Sequence, residues 1–308
     1  MSLTPEQVKG RIKNIAAKSN ADARTLMRIY MMERFLERLA NSRYRDNFII
    51  KGGILVTAMV GVAHRSTMDI DATIKNLNLS AEDALNVANE IMSIDVGDDV
   101  TFEVIGISTI MDDMEYPGIR ISLNSYLGKL VTPIKIDIST GDQVTPRETE
   151  FHYDLLLEKR SISLWSYNLE TILAEKLQTV LARGVLNTRM RDYYDLWMLH
   201  STYEADIDAQ IFHNAFLQTC RKRRTEYLLE QYGEILSSIE SDERLRNHWE
   251  SYRIKFSYAS EITYQDTIDS IKILITLIAK NTKGSNETLS STHDLDESEK
   301  KGSIPKIV

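Results

Sequence analysis

The stretch Arg65-Ser66-Thr67-Met68-Asp69-Ile70-Asp71-Ala72-Thr73 decides how this chain is read. In an extended strand successive side chains alternate between faces. Asp69 and Asp71 therefore share one face, roughly 6–7 Å apart. Met68, Ile70 and Ala72 take the other face, which suits a core. Two carboxylates at that spacing can bridge hard divalent cations, which prefer oxygen ligands. Phosphoryl-type transfer with two metal ions needs that geometry. An edge strand with one solvated acidic face has the same pattern, so the pair alone does not choose.

Upstream, Phe48-Ile49-Ile50 reads as a short buried strand broken by Lys51-Gly52-Gly53, and Ile54–Val62 reads as a helix beginning at the glycines. Two glycines let the backbone approach an anion, and a helix N-terminus supplies unpaired N–H groups, so a triphosphate fits; a plain strand-to-helix turn uses the same residues. Downstream, Ile136-Asp137-Ile138 centres an aspartate between two isoleucines, which puts it on the sheet. Three carboxylates on neighbouring strands repel one another unless a cation neutralises them. The expected donor set is Asp69, Asp71 and Asp137, with Mg²⁺ as the ion.

The surrounding pattern predicts the frame. Thr4-Pro5 opens a first helix with Val8, Ile12 and Ile15 on one face, and Asp22–Ala40 is a second amphipathic helix. Arg65–Thr73 is the second strand, and Ser80 caps a helix through Ile91. Val100–Ser108, Pro117–Leu123 and Ile134–Ser139 alternate with period two, as strands of one sheet do. From Tyr167 on, helices are predicted at Leu169–Ala182, Arg189–His200, Ile211–Cys220, Thr225–Ser238 and Ile262–Ile278, with a short strand near Ile162–Leu164. The class is α+β: a mixed sheet with flanking helices over residues 1–160, a C-terminal helical bundle over 161–280, and a disordered tail over 281–308.

Composition narrows the function. One cysteine, Cys220, excludes a disulfide framework and a cysteine-built zinc site within the chain, and suits a reducing, cytoplasmic setting. No basic-then-apolar leader opens the sequence. The longest apolar runs, Ile54–Val62 and Ile271–Ile278, are too short to span a membrane. A net charge of −8 argues against a bulk electrostatic grip on nucleic acid, leaving Arg221-Lys222-Arg223-Arg224 as one local basic cluster. That cluster reads equally well as a solvated helix end. Lys176, set among Ile172, Leu173, Leu177, Val180 and Leu181, either snorkels or aims at phosphate. Arg191 and Asp195 are spaced to pair on a helix surface.

Taken in order, Lys51-Gly52-Gly53, Arg65-x-Thr67-x-Asp69-Ile70-Asp71, Lys135-Ile136-Asp137-Ile138-Ser139-x-Gly141-Asp142, Glu175-Lys176-Leu177 and Arg189-x-Arg191-Asp192-x-x-Asp195-Leu196 resemble the AbiEii/AbiGii nucleotidyltransferase toxins of bacterial abortive-infection and toxin–antitoxin systems. The resemblance runs from about residue 48 to about residue 200. It implies a nucleotidyltransferase-like sheet and a Mg²⁺-dependent transfer of NMP from an NTP. It further implies an RNA acceptor, first of all the tRNA 3′ end, and an antitoxin encoded nearby. It matches Gly52 and Gly53 to the phosphate loop, Asp69 and Asp71 to the metal pair, and Asp137 to the third carboxylate. Lys176 and Asp192 match the later catalytic motifs, and Lys51, Arg65, Thr67 and Arg191 are expected to face the nucleotide. Ile54 departs from the Thr or Ser that often follows the glycines. A non-catalytic nucleotide sensor and a small-molecule, antibiotic-modifying nucleotidyltransferase are the competing functions.

Overall fold

The computed structural model describes residues 3–19, 21–77, 80–110 and 118–293, with side chains described to residue 279. Two helices lead, α1 (Pro5–Ser19) and α2 (Ala23–Ala40), followed by β1 (Phe48–Lys51), α3 (Gly52–Val60), β2 (Asp69–Ile74) and α4 (Ala81–Met92). Then come β3 (Val100–Ile110), β4 (Gly118–Leu127), β5 (Leu130–Thr140), β6 (Thr149–Asp154) and β7 (Ser161–Ser166). The rest is helical: α5 (Leu169–Arg183), α6 (Met190–Tyr203), α7 (Ala209–Lys222), α8 (Leu228–Ser241), α9 (Glu243–Lys255) and α10 (Tyr264–His293).

The caps explain several starts. The Asp22 carboxylate accepts the Thr25 N–H of α2 at 2.8 Å, and Ser80 and Asp83 form a reciprocal capping box on α4. The seven strands form one mixed sheet in the order β3-β4-β5-β2-β1-β7-β6. β2 runs parallel to β5 and antiparallel to β1, and β4 joins β5 as a hairpin. One face is apolar: Ile70, Ala72, Ile119, Ile121, Ile136 and Ile138 are all buried, and α2 and α4 pack against the sheet. Each such isoleucine contributes about 1.5–3 kcal/mol when removed from water. With that face fixed as core, the alternate residues of β2 and β5 must lie on the other.

The charged face of α2 is not left to solvent, as the sequence suggested. Glu33, Arg34, Glu37 and Arg38 are all buried. Glu37 holds Arg160 at 2.5 Å, Arg34 holds Glu158 at 2.9 Å, and the Leu156 N–H donates to Glu33, so the β6–β7 hairpin is clasped to this helix.

Other expectations are corrected. The second strand begins at Asp69, not Arg65, and Met68, expected in the core, is 42% exposed. The segment before it leaves the sheet because Arg65 turns to a buried carboxylate described below. β6 and α9 had no counterpart in the expected elements; α9 buries only Leu245, Trp249 and Tyr252 along a charged sequence, too sparse a stripe to stand out. The β6–β7 hairpin straddles residue 160, so the sheet extends beyond the expected boundary. Of the expected tail, 281–293 continue α10 and 294–308 lie outside the described residues, as does Pro117 of an expected strand. Among the described residues no helix is long and apolar enough to cross a membrane.

Candidate active site

β1 passes into α3 with no loop between, because Gly52 adopts φ +62°. That backbone region favours glycine. A Cβ there would also fall 2.2 Å from Oδ2 of Asp71. The same oxygen accepts the Gly53 N–H at 3.1 Å. The glycine turn is therefore folded around the Asp71 carboxylate, which serves one of the unpaired N–H groups opening α3. Ile54 is fully buried, so the position after the glycines belongs to the core. A hydroxyl still stands at the turn: Thr67 Oγ1 lies 2.6 Å from where a Gly53 Cβ would be.

The sheet register brings the three predicted carboxylates onto one face. Asp71 lies opposite Lys51 on β1 and beside Asp137 on β5, and Asp137 lies opposite Arg120 on β4. Across four strands the row reads Lys51, Asp71, Asp137, Arg120: cation, anion, anion, cation. Asp69 sits two residues along β2, level with Lys135. Arg120 grips both oxygens of Asp137, at 2.7 and 2.6 Å. Burial and then the Asp137 carboxylate push the Asp69 pKa above the usual range. Burial raises Asp71 too; the Gly53 N–H and Lys51 pull it back, while Asp137 and Asp69 push it further up.

Behind the glycine turn lies a second charged group. Asp195, wholly buried, takes Arg65 through both oxygens at 2.6 and 3.1 Å and Lys176 at 2.6 Å. Asp192 also meets Lys176, at 3.3 Å, and Arg189 at 3.1 Å. Arg65 is 1% exposed, so its guanidinium does not face a nucleotide as expected; it ties the β2 entry to α6. Arg191 and Asp195 do not pair: the Arg191 guanidinium lies 5.7 Å from the Phe256 ring centre. Lys176 keeps 12% of its side chain exposed. Burial pulls its pKa down, but Asp195 and Asp192 together raise it, so it stays an ammonium.

Residues 34–270 match the family described as nucleotidyl transferase AbiEii toxin, type IV toxin–antitoxin system. The chain belongs to the AbiEii family. The match spans both the sheet and the helical half, well beyond the motifs around the aspartates. Among solved structures, JHP933 from Helicobacter pylori is similar at 15% identity with a TM-score of 0.50, covering 89% of this chain and 99% of that one. An antigenic nucleotidyltransferase-like protein from Paracoccidioides brasiliensis aligns at 14% identity and a TM-score of 0.38, over 68% of this chain and 92% of that one. No curated protein matches the sequence.

This AbiEii chain carries site residues that the motifs did not single out. Arg120 is one. Its signal was present: Gly128-Lys129 between two alternating runs is a two-residue hairpin turn, and counting outward from it sets residue 120 opposite 137. Asp142 is another. It receives Lys51 at 2.5 Å, Lys222 at the end of α7, and the Ser139 hydroxyl. Lys222 and Arg223, half of the basic cluster, are thereby engaged with partners in this chain, since Arg223 donates to Gln178 and Thr179 at 2.5 and 2.9 Å.

As a nucleotidyltransferase the family acts on an NTP, and the hard oxygen donors of Asp69 and Asp71 fit a divalent ion. Among the described residues no three carboxylate, histidine or cysteine side chains are set to enclose a metal, and Asp137 is paired with Arg120. Both members of the pair must be ionised to bind a cation. Their raised pKa values set the sign: affinity for a divalent ion such as Mg²⁺ should fall as pH is lowered, with a midpoint above the value of about 3.9 for free aspartate. Calorimetric Mg²⁺ titrations at a series of pH values measure that midpoint, and one at or below the free-aspartate value contradicts this account of the pair.

Proposed function

We propose that this protein transfers NMP from an NTP to a hydroxyl of an RNA acceptor, in the first instance the tRNA 3′ end, with Mg²⁺ as cofactor, and so arrests growth until its antitoxin intervenes. One observation carries this reading: the Asp71 carboxylate lies against the Gly53 N–H at the head of α3 while sharing a face with Asp69 and Asp137.

The first-turn N–H groups of α3 and the Lys51 ammonium receive the β- and γ-phosphates. Lys176, held as a cation by Asp192 and Asp195, balances charge that grows on the leaving group. Asp69 and Asp71 would hold Mg²⁺, which when bound would supply positive charge to the phosphates and lower the pKa of the acceptor hydroxyl. The acceptor oxygen bonds to the α-phosphorus, the bond to the bridging oxygen of pyrophosphate breaks, and the hydroxyl proton passes to Asp137. Arg120, bonded to both oxygens of Asp137, orients it beforehand.

Asp69→Asn and Asp71→Asn should each lower transfer of label from NTP to RNA by about a hundred-fold or more. The same substitutions should leave thermal stability equal or higher. A carboxyl whose pKa is raised by folding opposes the fold once ionised, so its loss at neutral pH relieves the protein. Full transfer by a folded Asp71→Asn protein refutes the mechanism. NTP binding without transfer to any acceptor supports a sensor instead, and transfer to a cationic drug but not to RNA supports the antibiotic-modifying alternative.

A further inference from the structure

A cavity of about 570 Å³ opens between the start of α2, the end of α3 and the segment that follows α9. Its walls include Thr25, Val62 and Ser66, and its floor includes Phe256 and Tyr258. These two rings stack at 5.4 Å with 24° between their planes. Tyr258 is backed by Tyr194 at 4.9 Å and Phe256 by Tyr252 at 4.7 Å, so the floor is fixed by the core of the helical half. Two cations flank Phe256: Arg191, and Lys255 at 5.4 Å from the ring centre. Ile254, also lining the cavity, is 87% exposed.

The position of the cavity relative to the acidic pair matters as much as its lining. Asp71 touches the glycine turn, while Asp69 is displaced along β2 toward Met68 and Ser66. Arg28, one turn along α2 from Thr25, donates to the Met68 sulfur at 2.6 Å and to the Pro133 carbonyl at 3.1 Å, so it spans the ground between cavity and Asp69. In phosphoryl transfer the attacking and leaving oxygens lie roughly in line on opposite sides of phosphorus. With pyrophosphate over the glycine turn on the Asp71 side, the attacking hydroxyl arrives from the Asp69 side, and Ser66, in the cavity wall, stands three residues before Asp69.

We propose that this cavity receives an unstacked nucleobase from the unpaired end of the acceptor RNA. An aromatic floor offers a stacking face to any base, flanking cations meet the backbone phosphates, and the hydroxyls of Ser66 and Thr25 meet a base edge. The volume suits a ligand of nucleoside size. The inference rests on the RNA-acceptor reading above and deepens it by naming where the acceptor end is held.

The test uses the full chain, an RNA acceptor with 2-aminopurine at its unpaired end, and the variants Phe256→Ala and Phe256→Tyr. Binding to the unsubstituted protein should quench the fluorophore. Phe256→Ala should abolish the quenching and raise KM for RNA by roughly ten-fold or more at unchanged KM for NTP, and Phe256→Tyr should restore both. An Ile254→Asp variant, altered only at the exposed rim, should raise KM for RNA in the same selective way if Phe256→Ala proves unstable. A selective rise in KM for NTP assigns the cavity to the incoming nucleotide and overturns the proposal, as does unchanged RNA affinity and quenching in a folded variant. If the unsubstituted protein transfers nothing to RNA, the function reading itself has failed, and this inference falls with it.

Discussion

Gly52→Ala should abolish nucleotide transfer and cost stability at once. The residue sits at φ +62°, where an alanine pays about 1–2 kcal/mol in the left-handed region. The larger effect is local: the new methyl group meets Asp71 at 2.2 Å from Oδ2, 2.6 Å from Cγ and 2.7 Å from Cβ. The whole side chain is in the way, so a small rotation does not resolve the clash. Asp71 must leave, and the Gly53 N–H loses its acceptor. Transfer assays and thermal melts on Gly52→Ala measure both effects, and a variant with near-normal turnover contradicts the turn geometry. Gly61→Ala is the control: φ is also positive, at +88°, but nothing lies near the added carbon, so only the backbone cost applies.

Asp195→Ala should be the most destabilising single change at the charged group behind the turn. It removes the shared anion of Arg65 and Lys176, leaving a guanidinium that is 1% exposed with no carboxylate. Breaking a buried ion pair from one side costs about 3–5 kcal/mol, a large part of the roughly 5–15 kcal/mol that holds a domain folded. Arg65 and Lys176 hold the Asp195 pKa below the usual carboxylate range despite its burial. A depressed carboxyl contributes stability above its unfolded pKa and loses it as pH falls through the folded one. The gap between wild-type and Asp195→Ala melting temperatures should therefore be full at neutral pH and shrink in strong acid. A variant that melts within a degree or two of the parent would show that the cluster is not structural. Arg65→Lys, which cannot fork onto both oxygens, should fall between them.

Much of the fold was legible because its signals are local. Period two gave β3, β4 and β5, and Asp22 and Ser80 marked helix starts by capping chemistry. Strand parity was enough to put Asp69 and Asp71 together, and the isoleucines beside Asp137 were enough to place it on a sheet. Pairing is not local. That β5 lies beside β2, and that residue 137 is level with 71, follows from the closure of the whole sheet. The same limit hid the role of Arg65. It lies in the middle of a strand-like pattern, yet its partner, Asp195, is on α6 in the other half of the chain. Asp195 looked like a surface residue because Arg191 stood one turn away, and only tertiary packing shows that the helix presents it inward.

The cross-strand row has a consequence for how the protein comes into being. A nascent chain that stops short of Leu130 already owns both acids of β2 but has neither Asp137 nor the strand that sets them in place. Lys176 and Asp195, which brace the turn from behind, emerge later still, and Lys222 last. A ribosome-bound fragment that lacks these residues lacks part of the proposed site, so the host that makes this toxin meets it only after the helical half has emerged.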